Sequence, residues 1–255
     1  MDLGLADRCF IVTGGSSGLG LATAEELVRE GARVLVVARH QDRIDQVVEA
    51  LGSAALGMMG DLSDPHMAAQ AVATARTAFG RLDGCLASVG GPPSGSVLST
   101  TDDQWRAAFE SVFVGAVRLG REVVGGIRAS GHDGGSLALV LSTSAVEVFA
   151  GLTTSNGLRP GLGMLVKDLA DEIGPEGVRV NGLLPGRIDT DRLAALDAST
   201  GDAPAARASA SARIPLRRYG TPAEFGRVAA FVLSPAASYI TGSLVRVDGG
   251  VTRSL

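Results

Sequence analysis

Lysine is nearly missing from this chain: Lys167 is the only one, and arginine carries the rest of the positive charge. Tyrosine is almost as scarce, with Tyr219 and Tyr239 the only two. Cysteine is limited to Cys9 and Cys85, which lack metal-ligand spacing and both fall in predicted buried strands. They read as small core residues in a reducing compartment. Charged residues make up 20% of the chain and the net charge is −4, which excludes a polybasic face for nucleic acid or an anionic membrane. No apolar run is long enough to span a bilayer, and no apolar N-terminal signal region is present. The expectation is a soluble, cytoplasmic protein. At 255 residues the chain can bury a full core in one domain or two.

What is abundant is glycine, and its most informative cluster is Thr13-Gly14-Gly15-Ser16-Ser17-Gly18-Leu19-Gly20. Before it runs Cys9-Phe10-Ile11-Val12, apolar and β-branched enough for a buried strand. After it, residues 21–28 carry apolar side chains at helical spacing. Strand, glycine-rich turn and helix in that order form a phosphate-binding unit. Glycine lets the backbone approach a pyrophosphate, and a helix N-terminus offers unpaired N–H groups and a positive dipole end. Glycines also close ordinary turns, so the flanking strand and helix are what make this a nucleotide site.

The same alternation continues along the chain. Residues 33–38 predict a second strand, and Arg39-His40 follow at its end. In a dinucleotide fold an acid there binds a free 2′-hydroxyl, whereas an arginine accommodates a 2′-phosphate, so NADP(H) is favoured over NAD(H). The bland alternative for Arg39 is a solvated turn residue. Residues 54–59 predict the third strand, with Gly60-Asp61-Leu62 at its ligand-facing end. Asp61 suits an adenine amino group, or else a turn ahead of Pro65. A fourth strand is expected at 83–89 before Gly90-Gly91-Pro92-Pro93, then one long helix over 102–129 that includes Trp105, Phe109 and Val112. A fifth strand at 137–141 ends in Ser142-Thr143-Ser144, a helix spans 155–173, and a sixth strand at 178–183 leads to Leu184-Pro185-Gly186. Residues 190–213 have only a weak apolar stripe and read as a candidate lid. A last helix starts at Thr221-Pro222-Ala223, and a last strand covers 244–247. The pattern predicts an α/β fold in one domain: a single Rossmann-type, doubly wound parallel sheet of about seven strands with helices on both faces.

Over essentially its whole length the chain resembles the short-chain dehydrogenase/reductases. Their TGxxxGxG pattern is met by Thr13, Gly14, Gly18 and Gly20, and their adenine-side acid by Asp61. Their proline-glycine step is met by Pro185-Gly186, with Ile188 and Thr190 following. The ending Tyr239-Ile240-Thr241-Gly242 with Val247-Asp248-Gly249-Gly250 is similar to their C-terminal signature. The resemblance implies a cofactor site built from Thr13, Gly14, Ser16, Ser17, Gly18, Leu19, Gly20, Arg39, Asp61, Leu62, Gly90, Pro185, Gly186 and Ile188. It also implies a homotetramer and a small carbonyl or alcohol substrate.

Their catalytic set departs from this chain. Members usually align an asparagine, a serine, a tyrosine and a lysine, the last two spaced YxxxK. The lysine cation lowers the pKa of a phenol that ordinarily titrates near ~10. Ser142 fits the family serine, but Ser155 stands where tyrosine is expected, Arg159 where lysine is, and Val112 where the helix asparagine is. A divergent branch with Ser-Asn-x-x-Arg resembles Ser155-Asn156-Gly157-Leu158-Arg159, and also shares Gly91-Pro92-Pro93 and Trp105. Such members carry a 3-oxoacyl reductase-like label.

Ser142, Ser155 and Arg159 are thus the expected catalytic residues. The serines would orient a carbonyl, and Arg159 would stabilise an alkoxide with a charge it cannot relay as a proton. Against this, Ser155 reads equally as a helix cap, and Arg159 as the partner of Asp189 or Asp191. Two other functions stay open: a dinucleotide-binding protein without redox turnover, and a dehydratase or isomerase in the same cleft.

Overall fold

Alternate residues of each strand go to opposite faces, and here both faces are covered. Phe10, Val12, Val34, Val36, Leu86 and Val140 pack with Leu27, Phe225 and Ala229 on one side. Cys9, Ile11, Leu35, Val37, Cys85 and Leu139 pack with Ala71, Leu119, Val123 and Val166 on the other. The computed structural model describes residues 2–88, 90–91, 94–132 and 134–254. Val89, Pro92 and Pro93, singled out in the sequence, lie outside the described residues.

In chain order the elements are β1 (Cys9–Thr13), α1 (Gly18–Arg29), β2 (Arg33–Ala38), α2 (Gln41–Leu51), β3 (Ala55–Met59), α3 (Met67–Phe79) and β4 (Gly84–Ala87). Then come α4 (Asp102–Ala108), α5 (Gly115–Arg128), β5 (Gly135–Val140), α6 (Thr153–Ile173), β6 (Val178–Pro185), α7 (Asp191–Ala198), α8 (Ala203–Arg213), α9 (Pro222–Leu233) and β7 (Leu244–Val247). The seven strands run in the order β3-β2-β1-β4-β5-β6-β7, every pair parallel. Helices α1 and α9 cover one face, and α3, α5 and α6 the other. The order reverses between β1 and β4, so the strands' C-terminal ends open a crevice there, where open parallel sheets bind ligands.

Two elements differ from the sequence expectation. The helix over 102–129 is not uniform: a wider, π-type turn at Phe109–Val114 separates α4 from α5. It turns Val112 into the core, stacks Phe109 on Phe113 with ring centres 5.1 Å apart, and delivers Gly115 onto the Leu62 backbone. Such turns are frequent near functional sites. Strand β4 is shorter than 83–89, although the Asp83 backbone still bonds Cys9 on β1 and Ser136 on β5. Ser88 donates its N–H to Thr13 Oγ1 at 2.9 Å. Asp83 turns its carboxylate to Arg81 (2.7 and 2.5 Å), Arg8 (3.0 Å) and the Cys9 N–H (2.9 Å).

That carboxylate makes stability pH-dependent. Burial pushes the Asp83 carboxyl up, but the hydrogen bonds from Arg81 and the Cys9 N–H outweigh it and hold the group below its ordinary value. A depressed native pKa contributes stability that is fully present above the unfolded pKa, about 3.9, and is lost as pH falls through the native one. In urea unfolding, Asp83→Asn is expected to cost about 3 kcal/mol at neutral pH. It should also flatten the acid limb of stability below about pH 4. An unchanged acid limb would assign that limb to other carboxylates.

Candidate active site

The first wall of the crevice is the turn from β1 to α1. Thr13 Oγ1 donates to the Ser88 carbonyl at 2.9 Å and accepts from the Ser88 N–H, stitching the β1 turn to the loop after β4. Gly14 and Gly18 have φ of +61° and +53°, which disfavours any side chain. At Gly20 the objection is contact: a Cβ would sit 2.3 Å from the Gly14 carbonyl oxygen. Ser17 precedes the helix in extended conformation without capping it through its side chain, and the first turn of α1 contains no acid. The positive end of α1 is therefore uncancelled. Ser16 and Leu19 are half-buried, and Ser17 and Gly14 are exposed at the lip. Turn and helix end together fit a dinucleotide's phosphates, with a backbone cradle that side chains would fill.

Arg39 and Asp61 stand at the C-terminal ends of β2 and β3. Arg39 is exposed. Asp61 Oδ1 accepts from the Ser63 N–H (2.8 Å) and hydroxyl (2.7 Å). Burial raises the Asp61 carboxyl, but these donors and the nearby Arg39 charge bring it below the usual carboxylate range. The Leu62 side chain is buried in the core, and its carbonyl lies against Gly115 of α5. Gly90 is exposed, and a Cβ there would meet nothing within 4 Å. Glycine is not sterically required at that position.

The opposite wall follows β6. Gly186 donates to the Val247 carbonyl at 3.0 Å, and a Cβ there would strike the Asp248 backbone at 2.8 Å. Pro185 closes β6, Ile188 is buried and pairs with Gly220, and Thr190 caps α7. The Thr190 methyl would lie 3.4 Å from a Cβ on Gly18, so this loop arches back towards α1. The weakly patterned 190–213 segment folds into α7 and α8. Asp197 accepts from Arg187 and from the Tyr219 hydroxyl, both at 2.9 Å. Arg207 pairs with both oxygens of Asp189 (2.8 and 2.7 Å) and lies over the Tyr219 ring.

Between these walls the hydroxyl pair is Ser144 with Ser155, their Oγ atoms 2.8 Å apart and buried. Ser142 meets neither hydroxyl directly; its Oγ accepts from the Ser144 N–H at 3.1 Å. Ser144 stands two residues along in the same run, on a short turn where it is buried. Ser155 is no cap: α6 begins at Thr153, with Leu152 in the cap position. Asn156 fixes the start of α6 by exchanging two side-chain bonds with the Phe149 backbone, at 3.1 and 2.8 Å.

One turn on, Arg159 is only 4% exposed and donates to the Val140 carbonyl at the end of β5. Its Nε has no partner. Pairing with Asp189 or Asp191 is not what forms, since Asp189 is held by Arg207 and Asp191 is exposed. Burial and the charge of Arg192 push the Arg159 guanidinium down to about 10, still charged at neutral pH. Gly157 and Gly161 let α6 approach the aromatic rings of Trp105 and Phe113.

A parallel sheet in this order, with a glycine cradle at its switch point, defines a Rossmann-type fold. A family model described as enoyl-(acyl carrier protein) reductase matches residues 14–252, and the chain belongs to the short-chain dehydrogenase/reductase family. Cis-4-hydroxycyclohexanecarboxylate dehydrogenase of Sinomonas cyclohexanicum is 31% identical, over 97% of both chains. The 3-oxoacyl-[acyl-carrier-protein] reductase of Salmonella typhimurium is 30% identical, over 94% of this chain and 96% of that one. The crystal structure of L-sorbose reductase from Gluconobacter frateurii, complexed with NADPH and L-sorbose, superposes with a TM-score of 0.94 at 30% identity, covering all of both chains. Among the described residues, no helix is long and apolar enough to cross a membrane.

Proposed function

We propose that this protein is an NADP(H)-dependent oxidoreductase that interconverts a carbonyl and an alcohol, using serine hydroxyls and an arginine in place of tyrosine and lysine. The observation that carries the reading is the cradle of Gly14, Gly18 and Gly20 after β1, with Arg39 at the end of the neighbouring strand β2 for a 2′-phosphate. The NADPH complex of the similar L-sorbose reductase supports the same cofactor. Thr13, Gly14, Ser16, Ser17, Gly18, Leu19 and Gly20 would hold the phosphates. Asp61 and the Leu62 main chain would face the adenine, and Gly90, Pro185, Gly186 and Ile188 would line the nicotinamide end.

NADP(H), when bound, donates or accepts the hydride. Ser144 and Ser155 would donate hydrogen bonds to the substrate oxygen, with Ser142 holding the Ser144 backbone in place. Arg159 would stabilise negative charge developing on that oxygen. Neither serine is a useful acid without an adjacent base, so the proton comes from water or from the substrate itself. Helices α7 and α8 would act as the lid.

Calorimetric titration with NADPH and with NADH tests the cofactor. NADPH should bind more tightly, and Arg39→Ala should weaken NADPH by about tenfold or more while leaving NADH unchanged. Failure of both nucleotides to bind overturns the reading. Binding without NADPH oxidation across a broad carbonyl panel would favour a cofactor-binding protein without turnover.

A further inference from the structure

We propose that a cavity beyond the edge strand β7, separate from the crevice, binds a small molecule bearing a diphosphate group. The cavity has a volume of about 380 Å³ and lies between the C-terminal end of α8 and residues 251–253. Arg213, Arg217 and Arg253 line it, and Ile214, Pro215 and Val251 supply its apolar part. Among the described residues no acid lines it, and none pairs with any of these three guanidinium groups. Several other exposed arginines are matched by acids: Arg106 by Asp102 and Asp103, Arg128 by Glu176, Arg207 by Asp189 and Arg218 by Glu224. Three unmatched cations around one cavity repel one another, on a chain whose net charge is −4. A cleft lined by one sign of charge concentrates counter-ions, and the planar fork of arginine pairs with phosphate oxygens two at a time.

The backbone at Arg217 points the same way. Its φ is +59°, a value it shares in sign with only one other non-glycine residue among those described, Asp7. The Arg217 N–H donates to the Ile214 carbonyl at 2.8 Å, which closes a tight turn at a position that favours glycine or asparagine. A long cationic side chain is held where glycine would be free of strain. Its guanidinium donates to the Ala212 carbonyl, at the end of α8.

The frame around the three arginines is firm. Ile214 and Pro215 pack on Gly249 and Gly250, where a Cβ would lie 2.7 Å from the Ile214 side chain and 3.1 Å from that of Pro215. The two carboxylates bonded to the following segment are turned to its backbone. Asp248 accepts from the N–H groups of Gly250 (2.8 Å) and Thr252 (3.0 Å), and Glu147 from those of Arg253 and Ser254. They fix Arg253 in place and leave its side chain to the cavity. The dinucleotide cradle follows β1, four strand positions from β7 in the sheet. At about 4.8 Å per strand, the two sites are about 19 Å apart across the sheet.

The test is calorimetric titration with inorganic pyrophosphate and with uridine diphosphate, on the bare protein and on protein saturated with NADPH. Each ligand should bind at one site that persists with NADPH present. Tighter binding of uridine diphosphate would place an organic part against Pro215 and Val251, and equal affinity would assign the diphosphate alone. Arg213→Gln and Arg253→Gln should each weaken pyrophosphate by about tenfold or more. Arg128→Gln removes the same charge at the opposite edge of the sheet and should change affinity by less than about twofold. Arg217→Gly relieves the positive φ, so it should weaken pyrophosphate by a similar factor while moving the melting temperature by no more than about 3 °C. Absence of saturable binding, its loss on adding NADPH, equal weakening by Arg128→Gln, or affinity that survives the three pocket variants overturns the site. Failure of NADPH to bind the unmodified protein would instead strike the oxidoreductase reading, on which this site does not rest.

Discussion

Replacing Gly20 with alanine is expected to abolish NADPH binding and to lower stability by about 1–3 kcal/mol. The added Cβ would lie 2.3 Å from the Gly14 carbonyl oxygen, 2.7 Å from its carbonyl carbon and 3.1 Å from the Gly15 Cα. All three atoms are backbone, so no rotamer change relieves the collision. Either α1 tilts out of the face it shares with α9 or the turn opens, and each response moves the N–H groups that would meet the phosphates. For a chain of this length the melting temperature should drop by roughly 2–10 °C. Gly90→Ala is the matched control, because its Cβ meets nothing within 4 Å, and stability there should be unchanged. Calorimetry and thermal unfolding on both variants decide the matter. Unaltered binding in Gly20→Ala would mean that the cradle is not the nucleotide site.

The second large effect is expected at Arg159. Arg159→Ala should lower kcat by about 10²–10³, the range for loss of a donor to a developing oxyanion. Its effect on NADPH affinity should be small, since Arg159 lies by β5 and the phosphate cradle by β1. Arg159→Lys should recover part of the rate, because it restores a positive charge near the same backbone carbonyl with fewer donors. Steady-state kinetics alongside NADPH titration separate the two contributions. A kcat that is unchanged in Arg159→Ala removes the residue from the chemistry and leaves it as an interior anchor for α6.

Much of the framework was legible because its signals are local. Short β-branched runs such as Cys9-Phe10-Ile11-Val12 and residues 33–38 bury both faces, which is what a covered parallel strand requires. The glycines of the first turn could be read from spacing, because positive φ at Gly14 and Gly18 is a property of the turn itself. Other features failed for reasons that local patterns cannot contain. Periodicity gave one helix across 102–129, since the contact that places Gly115 on Leu62 comes from a segment some fifty residues earlier (115 against 62). Ser155 looked like a cap because serine favours that position, yet α6 extends two residues further towards its N-terminus.

By itself, the sequence determined the alternation of strands and helices, the glycine cradle, the cation after β2, and the absence of any tyrosine or lysine at 155 and 159. Only the tertiary structure decided that Ser144, rather than Ser142, meets Ser155; that Arg159 turns to the Val140 carbonyl rather than to Asp189 or Asp191; and that Arg192 lies over Gly91. Each of these depends on how β5, α6 and α7 pack against one another. Side chains far apart in the chain are brought together by that packing, and no residue spacing along the chain specifies it.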